Sequence, residues 1–505
     1  MDAKLIAAAR SAFPTGGPAV VLGAPVYSGE CHPEPLIALP LAMANRHGLI
    51  AGATGTGKTK TLQLMAEQLS AAGVSVFLAD LKGDLSGIAV PGTADERVTA
   101  RAKETGFAWK PAGCAVELFS LTGARGAQVR ATVSSFGPLL LAKVLELNDT
   151  QTSVLSLVFK YCDDRGLELY DFADLRAALT HLANEGAADL ASYGGMSKQT
   201  VGVLLREMVE LEQQGALAFF GEPELELDDL MRRASDGRGI VSVLELSDVQ
   251  DKPALFSTFM MWLLARLQSH LPEVGDLPQP KLVFFFDEAH LLFRNASSAF
   301  LDEVGQVVRL IRSKGVGVFF VTQSPKDVPP EILGQLGSRV QHALRAFTPD
   351  DEKALRAAAR TFPKSDFYDV ERTLQSLGIG EALVTVLGAS GVPSPPFATR
   401  MVPPASRMGP LTDLELRGCL ATPIVQKYAT ALNRESAAEK LEKQHAAAAA
   451  PAASDSGGHT VAKVAAAGAT IAAVLNSPLA RSVATTITRG LLGALLGPAR
   501  RRRRY

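Results

Sequence analysis

The stretch GATGTGKT, residues 52–59, satisfies the phosphate-binding pattern G-x-x-x-x-G-K-[ST] at every position. A short apolar run (48–51) precedes it, a run with helical spacing (60–73) follows it, and VSVFLAD (74–80) has the composition of a second buried strand. This succession of strand, loop, helix and strand predicts a βαβ unit whose parallel strands are covered on both faces. The loop would bring backbone N–H groups and the positive end of a helix to a phosphate.

The loop is therefore expected to bind ATP together with Mg²⁺. Lys58 is predicted to reach the β and γ phosphates, and the Thr59 hydroxyl to ligate Mg²⁺. The predicted nucleotide-binding residues are Gly52, Ala53, Thr54, Gly55, Thr56, Gly57, Lys58 and Thr59.

The composition of the 505 residues is that of a folded globular protein. Apolar residues make up 47% and charged residues 20%, which excludes wholesale disorder, and the length predicts two or three structural units. The formal net charge of −1 identifies no class of partner. The four cysteines form no CxxC pair, which excludes a zinc ribbon and favours a reducing, cytoplasmic location. We expect no signal peptide and no transmembrane segment.

The rest of the chain predicts an α/β fold with a mostly parallel central sheet. Short Val- and Phe-rich runs are typical of central strands, and they occupy 239–246, 281–289, 316–323, 339–346 and 381–387. Between them, 125–235 has helical spacing and predicts a helical insertion. The expected organisation is an N-terminal segment (1–45) followed by a core (46–400). A helical extension (401–445) comes next and is expected to contain one helix at 411–445. A low-complexity linker (446–460) then leads into an Ala-rich, helical, basic tail (461–505).

Two later strands are predicted to end in catalytic side chains. The apolar run Leu282–Phe286 leads into Asp287 and Glu288. Asp287 is suited to holding Mg²⁺ through water, and Glu288 to orienting or deprotonating an attacking water. Gln323 ends the next strand, where a polar amide can sense the γ-phosphate.

The helix between these strands carries two arginines off its apolar face. Arg309 and Arg312 are each predicted either to be solvated or to reach a neighbouring subunit's ATP, because a guanidinium group suits phosphate oxygens.

Several motifs together resemble one family. NRHGLIAGATGTGKT (45–59) resembles the phosphate-loop entry of HerA-type ATPases, relatives of the FtsK DNA translocases. ADLKGD (79–84), DEAH (287–290) and RLIRSKGVGVFFVTQSP (309–325) are similar to that family's later motifs. Within the superfamily, SRVQHALRAFTP, LGIGEALVT and RGLLGALLG resemble the bacterial HerA-like group of the YjgR type.

The resemblance implies a RecA-like core that works as a ring, with a hexamer favoured, acting on DNA as a translocase or helicase-like ATPase. It implies Arg312 as an arginine finger acting in trans, with Arg309 as the alternative, and Arg46 as an arginine acting in cis. It also implies Asp80 as an active-site carboxylate, and a nuclease or another protein as a possible partner.

Two other functions remain open at this point. The chain could be an ATP-dependent switch or scaffold that gates a protein partner, or a membrane-peripheral ATPase anchored by its tail. The tail combines Leu491, Leu492, Leu495 and Leu496 with five arginines at 500–504. It is predicted to be a docking element, and such a pairing can lie on an anionic membrane, bind phosphates or pack on the protein's own core. DNA-stimulated hydrolysis with a steep salt dependence would distinguish the translocase from both.

Overall fold

The computed structural model describes residues 2–13, 16–294, 296–388 and 391–449. Its central element is a 13-stranded sheet, and every strand belongs to one compact unit, residues 1–445. The predicted tail (461–505) lies outside the described residues. The strands are β1 (Ala19–Tyr27), β2 (Glu30–Cys31), β3 (Ile37–Pro40), β4 (Gly48–Ala51), β5 (Ser75–Asp80), β6 (Val116–Ser120), β7 (Ala127–Gln128), β8 (Val241–Glu245), β9 (Leu282–Phe286), β10 (Val316–Thr322), β11 (Ser338–His342), β12 (Glu381–Thr385) and β13 (Phe397–Met401).

Most of the sheet is parallel, which confirms the predicted fold class. The order is β2-β1-β13-β12-β11-β4-β10-β9-β5-β8-β6-β7, with β3 paired to β1, and every pair from β11 to β7 is parallel. Strands β4, β5, β8, β9 and β10 are buried throughout. Alternate side chains of β5 enter different cores, Phe77 on one face and Val76 on the other, because successive side chains of a strand point to opposite faces.

Helices cover both faces of the sheet. They are α1 (Asp2–Ala12), α2 (Lys58–Ala71), α3 (Glu96–Thr105), α4 (Val133–Val144), α5 (Asp149–Arg165), α6 (Phe172–Ala183), α7 (Lys198–Gln213), α8 (Pro253–His270), α9 (His290–Phe293), α10 (Ser298–Leu310), α11 (Pro330–Leu333), α12 (Pro349–Ala359), α13 (Val370–Ser376), α14 (Asp413–Cys419), α15 (Pro423–Ala429) and α16 (Ala437–Ala449). Helices α4 to α7 fall within the predicted insertion and pack with α8 in one core cluster. None of the helices in the described ranges is long and apolar enough to cross a bilayer.

The first 45 residues are part of the sheet. Strand β1 pairs antiparallel with β13, and β13 pairs antiparallel with β12, so the start of the chain completes an antiparallel edge beside the parallel strands. Helix α1 packs its apolar face on the same core through Leu5 and Ala9. The sequence indicated only short strands or loops in this region.

The predicted single helix over 411–445 is wrong, because three helices, α14, α15 and α16, occupy that stretch. Thr412 caps α14, and Thr422 caps α15 by accepting a hydrogen bond from the Val425 N–H. Pro423 follows at the first helical position, where its missing N–H costs nothing, whereas within a continuous helix it would remove a backbone hydrogen bond. The capping residues and the proline therefore divide the stretch.

Candidate nucleotide-binding site

The phosphate-binding loop connects β4 to α2 at the carboxyl edge of the parallel strands. Its backbone is anchored to the strands on both sides, because the Gly52 N–H donates to Thr322 O at 3.2 Å and the Ala53 N–H donates to Ala343 O at 2.9 Å. Gly52 has φ 153°, and a Cβ there would lie 2.5 Å from the Cβ of His342. Only glycine fits that position, since both the φ angle and the contact exclude a side chain.

Lys58, the first residue of α2, points back into the concave side of the loop. Its ammonium group donates to Gly52 O at 2.7 Å and to Ala53 O at 3.1 Å. Burial lowers the pKa of Lys58, while the nearby Glu288 and Asp287 act in the opposite direction. A cation in a loop of convergent N–H groups, at a helix N-terminus, makes a site for an anion such as a polyphosphate.

Asp287 and Glu288 lie at the carboxyl end of β9, beside β10 and β5. Both are buried, with exposures of 2% and 5%. Burial, followed by the charge of Glu288, raises the pKa of Asp287 to about 7. Glu288 has φ 48°, a left-handed conformation that is rare for residues other than glycine and tends to occur at functional sites. Two buried carboxylates therefore lie at the carboxyl edge, two strands away from β4, which carries the phosphate loop.

These residues fit Mg²⁺. Among the described residues, Asp287 Oδ2 is buried and has no hydrogen-bond partner, so a carboxylate oxygen is available to a cation or to its bound water. Mg²⁺ prefers oxygen ligands and keeps several waters, which one carboxylate and one hydroxyl can accommodate. Thr59 is partly exposed at the start of α2, as the predicted hydroxyl ligand must be.

Asp80 organises the loop that follows β5. Its side chain is fully buried, and its oxygens accept hydrogen bonds from the N–H groups of Lys82 (3.2 Å), Gly83 (2.8 Å) and Leu85 (2.8 Å). Burial raises the pKa of Asp80 to about 6. The structure thus places Asp80 next to the site as a residue that positions this loop.

Lys82 is a site residue that sequence reasoning missed. Its ammonium group forms a hydrogen-bonded ion pair with the Glu288 carboxylate, although 206 residues separate the two in sequence. His290 Nδ1 lies 3.2 Å from the other Glu288 oxygen. The lysine in ADLKGD was the available signal, because a charged residue two positions after a buried strand lies at the same edge as the site.

Glu245, at the end of β8, was also missed. It is fully buried, its Oε2 lies 3.4 Å from Arg125 Nε, and burial together with the charge of Asp80 raises its pKa to about 7. The sequence did offer a signal for Glu245, because a carboxylate that ends a buried strand of the parallel sheet lies at the same edge as the site. Asp80, Glu245 and Asp287 end three adjacent strands, so the edge carries more acidic groups than the predicted pair.

Gln323 directly follows β10 and is exposed at the same edge. It lines a cavity of about 560 Å³ together with Ala53 and Thr54 of the phosphate loop and His290. The structure therefore brings the predicted loop, Asp287–Glu288 and Gln323 together from three neighbouring strands.

The three predicted arginines, Arg46, Arg309 and Arg312, do not belong to this group of residues. Arg46 ends a short 3₁₀ helix, Leu41–Arg46, before β4, and Arg312 lies in another, Ile311–Lys314, before β10. Both are therefore at the amino edge, with guanidinium nitrogens 3.3 Å (Arg46) and 3.7 Å (Arg312) from Asp276 Oδ1. Arg309 is exposed in the last turn of α10.

Arg46 therefore lies at the sheet edge opposite the phosphate loop of its own chain. All four residues of β4 separate it from the phosphate loop of its own chain, and its guanidinium is directed to Asp276. A strand of that length spans about 13 Å, so the side chain cannot reach the loop's concave side.

A phosphate loop on a central parallel strand, with acidic residues ending neighbouring strands, defines a P-loop NTPase with a RecA-like core. The helicase HerA-like C-terminal family matches residues 28–504, and the chain belongs to that family. The predicted membership of the HerA/FtsK superfamily is confirmed.

Individual relatives are distant. The chain is 32% identical over 117 residues to a probable DNA double-strand break repair helicase HerA of Methanocaldococcus jannaschii, which covers 22% of this chain and 21% of that protein. It is 21% identical over 361 residues to the DNA double-strand break repair helicase HerA of Sulfolobus acidocaldarius, covering 67% of this chain and 62% of the relative. The match thus spans less than two thirds of either relative. A solved bacterial conjugative coupling protein, TrwB lacking its first 70 residues, has a TM-score of 0.50 at 15% identity, covering 81% of this chain and 93% of that one, and supports the fold alone.

Proposed function

We propose that this chain is an ATP-binding and ATP-hydrolysing motor that moves DNA. The observation that carries the proposal is the convergence, at one sheet edge, of an anion-binding loop, two buried carboxylates and an exposed amide from three adjacent strands. The relatives that are named as DNA repair helicases favour DNA over a protein partner as the substrate.

In this proposal the P-loop residues Gly52–Thr59 bind the triphosphate, and Lys58 exchanges its bonds to loop carbonyls for bonds to phosphate oxygens. Thr59, and Asp287 through water, would hold Mg²⁺, which when bound would supply positive charge beside the triphosphate. Glu288 orients and deprotonates the attacking water. Lys82 pairs with one oxygen of the Glu288 carboxylate, and His290 Nδ1 lies 3.2 Å from the other, so both neighbours position the carboxylate.

Gln323 contacts the γ-phosphate from the neighbouring strand, and Asp80 acts indirectly by holding the loop that carries Lys82. The arginines at the amino edge act on a different copy. Because Arg46 and Arg312 share Asp276 at the edge opposite their own loop, both serve the nucleotide of an adjacent subunit. Arg309 is the alternative to Arg312. This arrangement requires an oligomer. A closed ring gives every nucleotide site a neighbouring subunit that supplies the arginines, and a hexamer is favoured.

ATP hydrolysis rate and particle mass, each measured with and without DNA, test the proposal. We expect a Mg²⁺-dependent ATPase that single- or double-stranded DNA stimulates, with DNA affinity that falls steeply as salt rises because phosphate contacts release counterions. Sequence preference should be slight, since such contacts do not read bases. If neither form of DNA stimulates hydrolysis and the protein binds neither form at low salt, the proposed DNA motor is contradicted. Only the proposed ATPase activity would then remain.

A further inference from the structure

Two histidines and a glutamate meet far from the nucleotide site. His181 lies near the end of α6, Glu185 follows that helix, and His445 lies on α16. The Nδ1 of His181 is 2.9 Å from the Nε2 of His445, and one ligand atom from each of the three residues lies within 4.8 Å of the other two.

The packing of α16 brings these side chains together. At its first turn, the Ala437 N–H donates to Glu168 O at 2.9 Å, and the Ala438 N–H donates to Asp174 Oδ1 at 3.0 Å. Two turns later the helix presents His445 to α6. On the other side of the His181 ring, a Cβ at Gly186 would lie 2.6 Å from Nε2, so a glycine there makes room for the imidazole.

We propose that His181, Glu185 and His445 bind a transition-metal dication of the Zn²⁺ type. Two imidazoles and a carboxylate are a ligand set that Zn²⁺ takes, with a fourth position for water. Tetrahedral Zn–N bonds of about 2.0–2.1 Å place two nitrogens roughly 3.4 Å apart, so the rings need to separate by only about half an ångström.

A further observation fits this site. The ligands come from helices 264 residues apart in sequence, so a bound ion would fasten α16, the last described helix, to the insertion. The site is independent of the nucleotide chemistry proposed above.

Metal titration of the full chain without an affinity tag tests the site. Co²⁺ is followed by its visible absorption and Zn²⁺ by calorimetric competition, both in excess Mg²⁺ so that weak binding to other carboxylates is suppressed. We expect one equivalent to bind, and His181→Ala and His445→Ala to abolish the absorption. Glu185→Gln should weaken affinity by about tenfold or more.

His270→Ala supplies the matched control, because His270 is exposed at the end of α8, away from the cluster. It should bind the metal as the parent does. If the parent chain binds the metal no more tightly than His445→Ala does, the two rings merely share a hydrogen bond and the proposal is overturned. Loss of binding in His270→Ala would overturn it as well.

A second inference concerns the nucleotide and rests on the proposed function. Ile379 is 74% exposed on the loop before β12, immediately beside the phosphate loop. The next residue fixes its position, since the Gly380 N–H donates to Thr56 O at 3.0 Å. Arg101 holds the loop from the other side by donating to Gly380 O at 2.8 Å and to Ile379 O at 3.3 Å. A large apolar side chain is thus held rigidly in solvent.

The strand order indicates what covers it. Glu288 and Gln323 follow β9 and β10, on one side of β4, so the γ-phosphate faces that side. The nucleoside must then leave toward β11 and β12 on the other side, where Ile379 is exposed. We infer that Ile379 packs against the nucleobase, because a purine face offers an apolar surface of matching size.

Binding of ATP and of inorganic tripolyphosphate, compared by calorimetry, tests this contact. Ile379→Ala should weaken ATP binding by roughly tenfold, in the range expected for lost apolar contact, and leave tripolyphosphate binding unchanged. Leu414→Ala, at a residue 75% exposed on α14, should change neither. An equal effect on both ligands, or no effect on either, would overturn the inference. A parent chain that binds neither ligand would instead contradict the proposed function.

Discussion

At the carboxyl edge of the parallel strands, the two acidic side chains of the site are buried, whereas at the amino edge the carboxylate that Arg46 and Arg312 share is open to solvent. Asp287 and Glu288 are 2% and 5% exposed. The Lys82 ammonium group pairs with the Glu288 carboxylate, and Lys58 of the phosphate loop is close to both acidic groups. The Arg312 side chain is 41% exposed, and the carboxylate it shares with Arg46, that of Asp276, is 78% exposed.

Under the proposed function, this difference corresponds to a division of roles between neighbouring subunits. A pocket that binds a polyphosphate must be preorganised and largely dry, which the carboxyl edge achieves within one chain. A group that acts on a neighbour's nucleotide must remain accessible until the two copies meet, which an exposed guanidinium does. Under the proposed action in trans, one chain would carry both halves of a catalytic site, one strand length apart, and two copies would assemble them.

The largest expected effect comes from breaking the carboxyl edge. Lys58→Ala removes the cation that faces the phosphates, so we expect tight ATP binding to be lost while the fold persists. Calorimetric titration with ATP measures this, and Lys103→Ala, an exposed lysine on α3, is the control. Wild-type affinity in a folded Lys58→Ala chain would show that the loop does not hold the nucleotide.

Breaking the amino edge should leave binding intact and stop turnover. Arg312→Ala is expected to bind ATP normally and to hydrolyse it roughly 10³–10⁵-fold more slowly, the range found for arginine fingers. The same assay on Arg309→Ala separates the two candidate fingers, and Arg417→Ala on α14 controls for loss of a surface charge.

Mixing the two variants tests the division between subunits directly. Lys58→Ala subunits keep an intact amino edge and Arg312→Ala subunits an intact carboxyl edge, so a mixed oligomer contains some complete interfaces. Activity should return on mixing, with the mixed composition verified by particle mass. Full activity of Arg312→Ala as a monomer, or no recovery in verified mixed oligomers, would contradict action in trans.

Glu288→Gln sharpens the assignment within the carboxyl edge. The amide cannot accept the water's proton, so we expect Mg-ATP to remain bound and turnover to fall by about 10²–10⁴-fold. Steady-state hydrolysis and ATP affinity are measured together, with Glu210→Gln on α7 as the control. A parental rate in Glu288→Gln would assign the base to another group.

The two edges also differ in how far the sequence predicted them. The phosphate loop and Asp287–Glu288 were predictable because each is contiguous and directly follows a buried apolar run, and parallel strands bring such ends together. The Arg46–Asp276 ion pair joins residues 230 positions apart, and Asp276 lies in a loop without any pattern. For the same reason, the pairing of β1 with β13 had no local signal.

Each edge contains one buried histidine, and both should make the fold sensitive to acid. His47, at the amino edge, accepts a hydrogen bond at Nδ1 from the Val318 N–H at 3.0 Å. His342, at the carboxyl edge, lies 2.9 Å from Thr61 Oγ1 and 2.8 Å from Glu381 O. Burial lowers the pKa of each from 6.5 to about 4.

Because the folded-state pKa is depressed, the stability that each neutral ring confers is present above pH 6.5 and is lost as pH falls toward 4. Each contributes roughly 3 kcal/mol of this loss, from about 1.4 kcal/mol per pKa unit. Denaturant unfolding at pH 7.5 and pH 4.5 measures it. His47→Gln and His342→Gln should each show a smaller difference between the two pH values than the parent. An unchanged difference would mean that neither ring is buried neutral.

The smallest effect is expected at Asp276, and it bears most directly on the comparison between the edges. This carboxylate lies between two guanidiniums, and burial, followed by the charge of Arg312, lowers the pKa of Arg46. An exposed ion pair contributes only about 0.2–1 kcal/mol. Asp276→Asn should therefore let the guanidiniums separate and reduce kcat by at most roughly fivefold, with ATP affinity unchanged.

Salt provides the discriminating readout for this variant. If Asp276 only holds the two cations together, raising the ionic strength screens both attraction and repulsion, and the kcat difference between Asp276→Asn and the parent should shrink. Asp163→Asn, exposed on α5, should show no difference at any salt concentration. A loss as large as that of Arg312→Ala would mean that Asp276 itself contacts the neighbouring site. A change in ATP affinity within isolated subunits would mean that the amino edge communicates with its own loop, and the two edges would then not be separate halves.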